Sequence, residues 1–179
     1  LALDIFGRRY DIRLPLLGTF QASNALAALG LAVATGVSEH TAVSAMAELE
    51  GVRGRIELVA RHSNGAAIFV DYAHTPDALL KTLNFLKSEY GNNISLIFGC
   101  GGDRDKKKRP LMAKIANENC KKIYLTDDNP RNENPKKIRD ELSKYIKKHK
   151  VFNIGNRALA IKKAIHNADH QEIILIAGK

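Results

Sequence analysis

The chain has 179 residues, 45% apolar and 26% charged, which suits a soluble globular protein of one ordinary domain, or one domain plus part of another. No apolar run approaches the roughly 20 residues of a membrane helix, and Leu1 opens mid-pattern without the basic start of a secretory signal, so those two classes are set aside. The net charge of +9 is uneven: residues 1–50 carry three basic side chains against five acids, the remainder 25 against 14, and the basic part favours anionic ligands without choosing among nucleotides, acidic small molecules and nucleic acid.

In chain order, the opening "LALDIFGRRYDIRLPL" alternates apolar and polar residues around "GRR" and predicts a hairpin or a pair of edge strands. "SNALAALGLAVATG" predicts a helix capped by Ser23 and stopped at Gly36, and a second helix is expected from Ser38 through Glu50. Gly51 and Gly54 then break the pattern, and charge sign changes with them, so a boundary falls between residues 53 and 54. "RIELVA" and "AAIFVDY" flank "RHSNG", a hairpin signal. Helices and strands alternate from there. "DALLKTLNFLKSEY" places Leu79, Leu83, Leu86 and Tyr90 on one face, "ISLIFG" is a buried strand, and "PLMAKIANEN" is a helix with Pro110 in its first turn. "KIYLTD" is a strand, "PKKIRDELSKYIKKH" a helix turning Ile138, Leu142 and Ile146 inward, "NRALAIKKAIHNA" a helix and "EIILIAG" a strand. The fold class expected is α/β: a mostly parallel, Rossmann-like sheet with helices on both faces, preceded by a small α+β unit.

Ligands of such sheets sit at the carboxyl ends of the strands, so the loops that follow them hold the candidate chemistry. They read "DYAHTPDAL", "CGGDRDKKKRP", "DDNPRNENP" and "AGK". Gly99, Gly101 and Gly102 would let the backbone approach an anion at the next helix start, although the spacing is neither the dinucleotide fingerprint nor a Walker loop. A solvated basic loop explains residues 99–110 about equally well, and the run Lys106–Arg109 reads first as a wet surface, with nucleic-acid binding the lesser reading. Asp71, His74 and Asp77 crowd one turn, where capping by Thr75 or Asp77 is an alternative to catalysis, and the spacing establishes no metal site. In "DDNPRNENP", Asn134-Pro135 simply starts a helix, whereas Arg131 beside a rigid proline and among carboxylate and amide groups suits a ligand bearing both a carboxylate and an ammonium. Cys100 and Cys120 have no disulfide or metal pattern and are expected as buried free thiols of a reducing compartment.

Taken in order, "GRIE", "DYAHTPDAL", "FGCGGDRDKKKRPLM" and "TDDNPRNENP" resemble the C-terminal domain of the Mur ligases, and "LLGTFQASNALAALGLA" resembles the end of that family's central ATP-binding domain. The likeness is strongest to the diaminopimelate-adding branch. It implies residues 1–53 as the end of the central domain and residues 54–179 as the amino-acid-binding domain. It further implies an ATP-dependent acid–amino-acid ligase of the bacterial cytoplasm that activates UDP-MurNAc-L-Ala-D-Glu as an acyl phosphate and joins it to meso-diaminopimelate. From the same resemblance, Asn24 lies near the adenine, and Arg55 and His74 face the nucleotide with catalytic roles. Arg104 and the stretch Asp128, Asn129, Pro130 and Arg131 hold the diaminopimelate, with Arg131 on its distal carboxylate, a group that lysine lacks.

ATP and Mg2+ are the implied cofactors, with the metal ligands outside these residues, and the enzyme is expected to act as a monomer with no nucleic-acid or membrane partner. Gln21 departs from the family's usual Asn. The central phosphate loop, the UDP-binding domain and a Gly-His-Glu stretch after "AGK" are not in these residues, so a fragment is expected, inactive by itself. The alternatives are a lysine-adding ligase, which Arg131→Ala separates from the first, and a nucleic-acid-binding module, which would bind with steep salt dependence.

Overall fold

The computed structural model describes residues 1–16 and 18–178, with only the backbone of Thr19 and Phe20. The expectations touching Leu17, the Thr19 and Phe20 side chains and the Lys179 of "AGK" lie outside that description. The chain divides into two compact units, Leu1–Arg53 and Gly54–Lys179.

In the first unit, β1 (Ala2–Ile5) and β2 (Arg8–Asp11) pair antiparallel, with Leu3 opposite Tyr10. The turn between them has positive φ at both Phe6 and Gly7, the backbone twist that closes a two-residue hairpin. Helix α1 (Thr19–Ala34) begins four residues before Ser23, so Ser23 is an exposed helical residue and not a cap. Gly18, at φ 99, makes the entry that Ser23 was expected to make. At the other end Gly36 takes φ 99, and paired bonds from Gly36 N to Val33 O and from Val37 N to Ala32 O close the helix in a Schellman motif. Helix α2 (Glu39–Met46) is capped by the Ser38 side chain. It stops four residues short of the expected Glu50, because its last turn tightens into three-residue bonds at Ala47 and Glu48. Ile12, Ala25, Leu29, Ala42, Val43 and Met46 form this unit's core.

The second unit is one six-stranded sheet with spatial order β3-β4-β8-β5-β6-β7. Its strands are β3 (Glu57–Arg61), β4 (Ala67–Asp71), β5 (Ile94–Phe98), β6 (Lys122–Leu125), β7 (Val151–Asn153) and β8 (Ile173–Ala177). Only β3 runs antiparallel, as the hairpin partner of β4. Between the strands lie α3 (Pro76–Tyr90), α4 (Lys108–Asn119), α5 (Pro135–Ser143) and α6 (Arg157–His166). The steps β4→β5, β5→β6 and β6→β7 all move the same way across the sheet, and β7→β8 moves back. Right-handed crossovers therefore put α3, α4 and α5 on one face and α6 on the other.

The core follows that division. Phe69, Leu96, Phe98, Ile123, Leu125 and Leu175 pack with Leu79, Leu83 and Leu86 of α3, Met112 of α4 and Leu142 of α5. Ile68, Ile97, Tyr124 and Ile174 pack with Ala160 and Ala164 of α6. Successive strand residues point to opposite faces, so one run such as Leu96-Ile97-Phe98 serves both layers. Leu79, Leu83 and Leu86 are fully buried, which is worth about 1.5–3 kcal/mol each. Helix α4 begins at Lys108, two residues before Pro110, and α5 ends at Ser143, though Ile146 beyond it is still buried. The short edge strand β7 follows a lysine-rich stretch and a single 3-10 turn at Lys148–Lys150, and went unpredicted.

Candidate functional site

Three helices of the second unit begin just after the loops of interest, and side chains fix those starts. Thr75 accepts from Ala78 N, Asn134 from Lys136 N and Lys137 N, and Asn156 from Leu159 N. Thr75 thus takes the capping role, and Asp77 is an exposed first-turn acid paired with Lys81.

The loops after β4, β5 and β6 enclose an open groove of about 550 Å³, closed on a further side by Gly178 beyond β8. Its walls carry His74, Arg104, Lys108 and Arg131 against Asp105 and Asp128. Of the residues the sequence singled out in this unit, His74, Arg104, Asp128, Asn129 and Arg131 come together here. Pro130 sits behind the wall, with its carbonyl against Gly102. Arg55 stacks its guanidinium 4.5 Å from the centroid of Tyr72. Asn24 belongs to the first unit, exposed on α1 and bonded through Nδ2 to Gln21 Oε1 at 3.0 Å.

Arg131 adopts φ 48, a conformation few non-glycine residues take, and its Nη1 donates to Gly102 O at 2.8 Å. Nε and Nη2 make no hydrogen bond among the described residues, and neither does Arg104. Two guanidinium groups with free donors beside the Asp128 carboxylate suit a ligand with both a carboxylate and an ammonium.

The glycines of "GCGG" pack against the loop that follows β6. A Cβ on Gly99 would collide with Thr126 O, and one on Gly102 with Pro130 O. On Gly101 it would come within 2.9 Å of Arg131 Nη1. The missing side chains make room for the neighbouring loop, and Gly102 N in turn donates to Asn129 O at 2.9 Å.

Arg109, the last member of the basic run, is no surface charge. It is 2% exposed, grips Glu133 through two bonds of 2.8 and 3.1 Å and reaches Glu141 at 2.9 Å. Glu133 also accepts from Asp103 N at 2.8 Å. The Arg109 bond first, and the Asp103 amide second, hold the Glu133 carboxyl at about 2, well below its ordinary 4.5. Beside this clamp, Asp103 Oδ2 accepts from both the backbone and the side-chain nitrogen of Asn132.

At the nearer end, Asp71 is buried and accepts from Ala73 N, Thr82 Oγ1 and Ile56 N. It is therefore a structural acid. His74 Nδ1 lies 2.9 Å from Tyr72 O, and a carbonyl only accepts, so Nδ1 carries the proton and Nε2 is the acceptor of the neutral ring. The rings of Tyr72 and His74 meet edge-on at 4.7 Å, and Lys108 Nζ binds His74 O at 2.9 Å. Tyr72 was missed in the sequence, where its only signal was an exposed aromatic between Asp71 and His74. Arg157, half-buried at the start of α6, donates to Ala177 O at 2.9 Å, and burial lowers its pKa from the usual guanidinium value. Cys100 and Cys120 are buried thiols, which burial pushes up to about 11 and about 12, too high for nucleophilic work at neutral pH.

Together the doubly wound sheet and the two-signed groove at its strand ends define an α/β ligand-binding domain, of the kind that takes small charged molecules. Residues 54–179 match the family described as Mur ligase, glutamate ligase domain. The chain belongs to the Mur ligase family. It is 45% identical over all of its 179 residues to the UDP-N-acetylmuramoyl-L-alanyl-D-glutamate–2,6-diaminopimelate ligase of Bradyrhizobium diazoefficiens, covering 36% of that protein. A solved ligase of the same name is 37% identical, with a TM-score of 0.66, over 99% of this chain and 37% of that one. A pseudomurein peptide ligase type C from Methanothermus fervidus shares the fold at 22% identity and a TM-score of 0.76, over 99% of this chain and 37% of that one. The chain thus spans little more than a third of the length of these relatives.

Proposed function

We propose that this chain is the amino-acid-reading part of an ATP-dependent ligase that adds meso-diaminopimelate to UDP-MurNAc-L-Ala-D-Glu in bacterial peptidoglycan synthesis, in the cytoplasm. The observation that carries this reading is the groove that joins Arg104, Asp128 and Arg131. Diaminopimelate has an ammonium and a carboxylate at each end. A guanidinium with two free donors pairs the distal carboxylate, Asp128 accepts from the adjacent ammonium, and the amine at the other end is left to attack the activated acyl group.

ATP supplies the phosphoryl group that activates the substrate carboxylate. On the side of this chain, Arg55 and His74 would face the nucleotide: the guanidinium offers charge over the Tyr72 ring, and the His74 tautomer leaves Nε2 to accept. Asn24 would meet the adenine from residues 1–53, read here as the end of the central ATP-binding domain. Among the described residues no three His, Cys, Asp or Glu side chains cluster to hold a metal. Nor is any described helix long and apolar enough to cross a membrane.

The test is ligation by the full-length enzyme that contains this chain, supplied with ATP, UDP-MurNAc-dipeptide and either diaminopimelate or lysine. Diaminopimelate should be the preferred amine, and a preference for lysine would overturn the reading. The 179 residues alone are expected to ligate neither, a result that measurable turnover would contradict.

A further inference from the structure

The two arginines offered to the amino acid sit on separate loops, Arg104 after β5 and Arg131 after β6, and both are exposed. A long exposed side chain reads a carboxylate only as well as its backbone is placed. Here the backbone at Arg131 is in the left-handed region, and so is that of Asp103 beside Arg104, at φ 50. Such conformations persist only where the surroundings over-determine them. The constraint comes from the buried Arg109, from Glu133 and from Asp103. Arg109 binds both oxygens of Glu133, and Glu133 takes the amide of Asp103, one residue from Arg104, while lying two residues beyond Arg131. Asp103 returns the contact through Asn132 N at 3.1 Å. Arg109 Nη2 also reaches Gly101 O at 3.4 Å, on the loop that carries Arg104.

We infer that Arg109 and Glu133 are positioning residues that set amino-acid selectivity by holding the Arg104 loop and the Arg131 loop in one register. Neither lines the groove. Apart from one Arg109 bond to Glu141 on α5, their bonds go to the two loops that carry the reading arginines and none goes to Arg55, Tyr72 or His74. The inference rests on the amino-acid reading of the groove given above.

The experiment uses the full-length ligase with Glu133→Ala, Glu133→Gln and Arg109→Lys, and measures KM for diaminopimelate, KM for ATP, kcat and the diaminopimelate-to-lysine ratio of kcat/KM. Glu133→Ala should raise KM for diaminopimelate tenfold or more and lower the ratio, with KM for ATP held within about twofold. Glu133→Gln keeps one acceptor oxygen for Asp103 N and Arg109 Nη2 but loses the one for Arg109 Nη1, and should fall between the parent and Glu133→Ala; it also carries the test if the alanine variant fails to fold. Arg109→Lys, which cannot make the fork, should resemble Glu133→Ala. Unchanged selectivity in a folded Glu133→Ala enzyme, or loss of ATP and diaminopimelate affinity in parallel, would overturn the inference. If the parent enzyme prefers another amino acid, the diaminopimelate reading falls by itself, and the same KM comparison on the preferred amine decides the role of the clamp.

Discussion

Asp71 and Ile56 are joined by a 2.9 Å hydrogen bond from the Ile56 amide to Asp71 Oδ2, which ties the residue after Arg55 to the end of β4. Ile56 is 1% exposed at φ 46, a conformation that a β-branched residue adopts only under constraint. Through its other oxygen, Asp71 holds Ala73 N at 2.8 Å and Thr82 Oγ1 at 3.1 Å, so one carboxylate fixes the backbone on both sides of the Arg55–Tyr72–His74 stack.

Replacing Asp71 with Ala would strand these buried donors, each at a cost of about 1–3 kcal/mol. Urea unfolding of Asp71→Ala should show the second unit destabilised by about 3 kcal/mol, and an unchanged midpoint would show that the donors find other partners.

Gly102→Ala and Gly101→Ala should differ sharply. At Gly102 the added methyl overlaps the rigid Pro130 carbonyl, whereas at Gly101 its nearest contact is the far end of the Arg131 side chain, which can swing away, with the Asn129 carbonyl at 3.3 Å. Overpacking of the first kind typically costs about 1–3 kcal/mol. We expect Gly102→Ala to speed amide exchange across residues 127–133, with little change from Gly101→Ala; equal effects would contradict the loop contact.

The Glu133 carboxyl supplies a pH test. Its pKa of about 2 in the folded protein lies below the ordinary 4.5, held there by Arg109 first and then by the Asp103 amide, with Lys106 3.5 Å away. A carboxyl depressed on folding stabilises fully above the unfolded value, and that contribution fades as pH falls from about 4.5 toward 2. The stability gap between the parent and Glu133→Gln should therefore be constant above pH 5 and close on acidification. A gap that stays open down to pH 2 would show that charge at Glu133 is not what binds the loops.

The sheet was legible because its signals are local. Leu79, Leu83 and Leu86 repeat at helical spacing, Asn64-Gly65 announces a turn, and Pro135 marks a helix start whatever surrounds it. The loops' internal wiring was not legible, because it depends on distant partners. Arg109 looks like its lysine neighbours in "KKKRP", and Glu133 and Glu141, 24 and 32 residues away, make it a buried clamp. The glycines of "GCGG" announce close approach without saying to what, and the next loop is what packs against them. Ser23 is a good cap residue placed where the helix had already begun, and β7 is three residues long with no alternation to detect.

The most direct measurement compares Arg131→Ala with the parent in the full-length ligase, using diaminopimelate and lysine as competing amines. A guanidinium–carboxylate pair is worth about 1.5–3 kcal/mol, or roughly 10- to 100-fold in kcat/KM. Diaminopimelate use should fall by that factor while lysine use, which offers no distal carboxylate, stays flat or rises. Undiminished use of diaminopimelate by Arg131→Ala would contradict the assignment of this groove as the amino-acid reader.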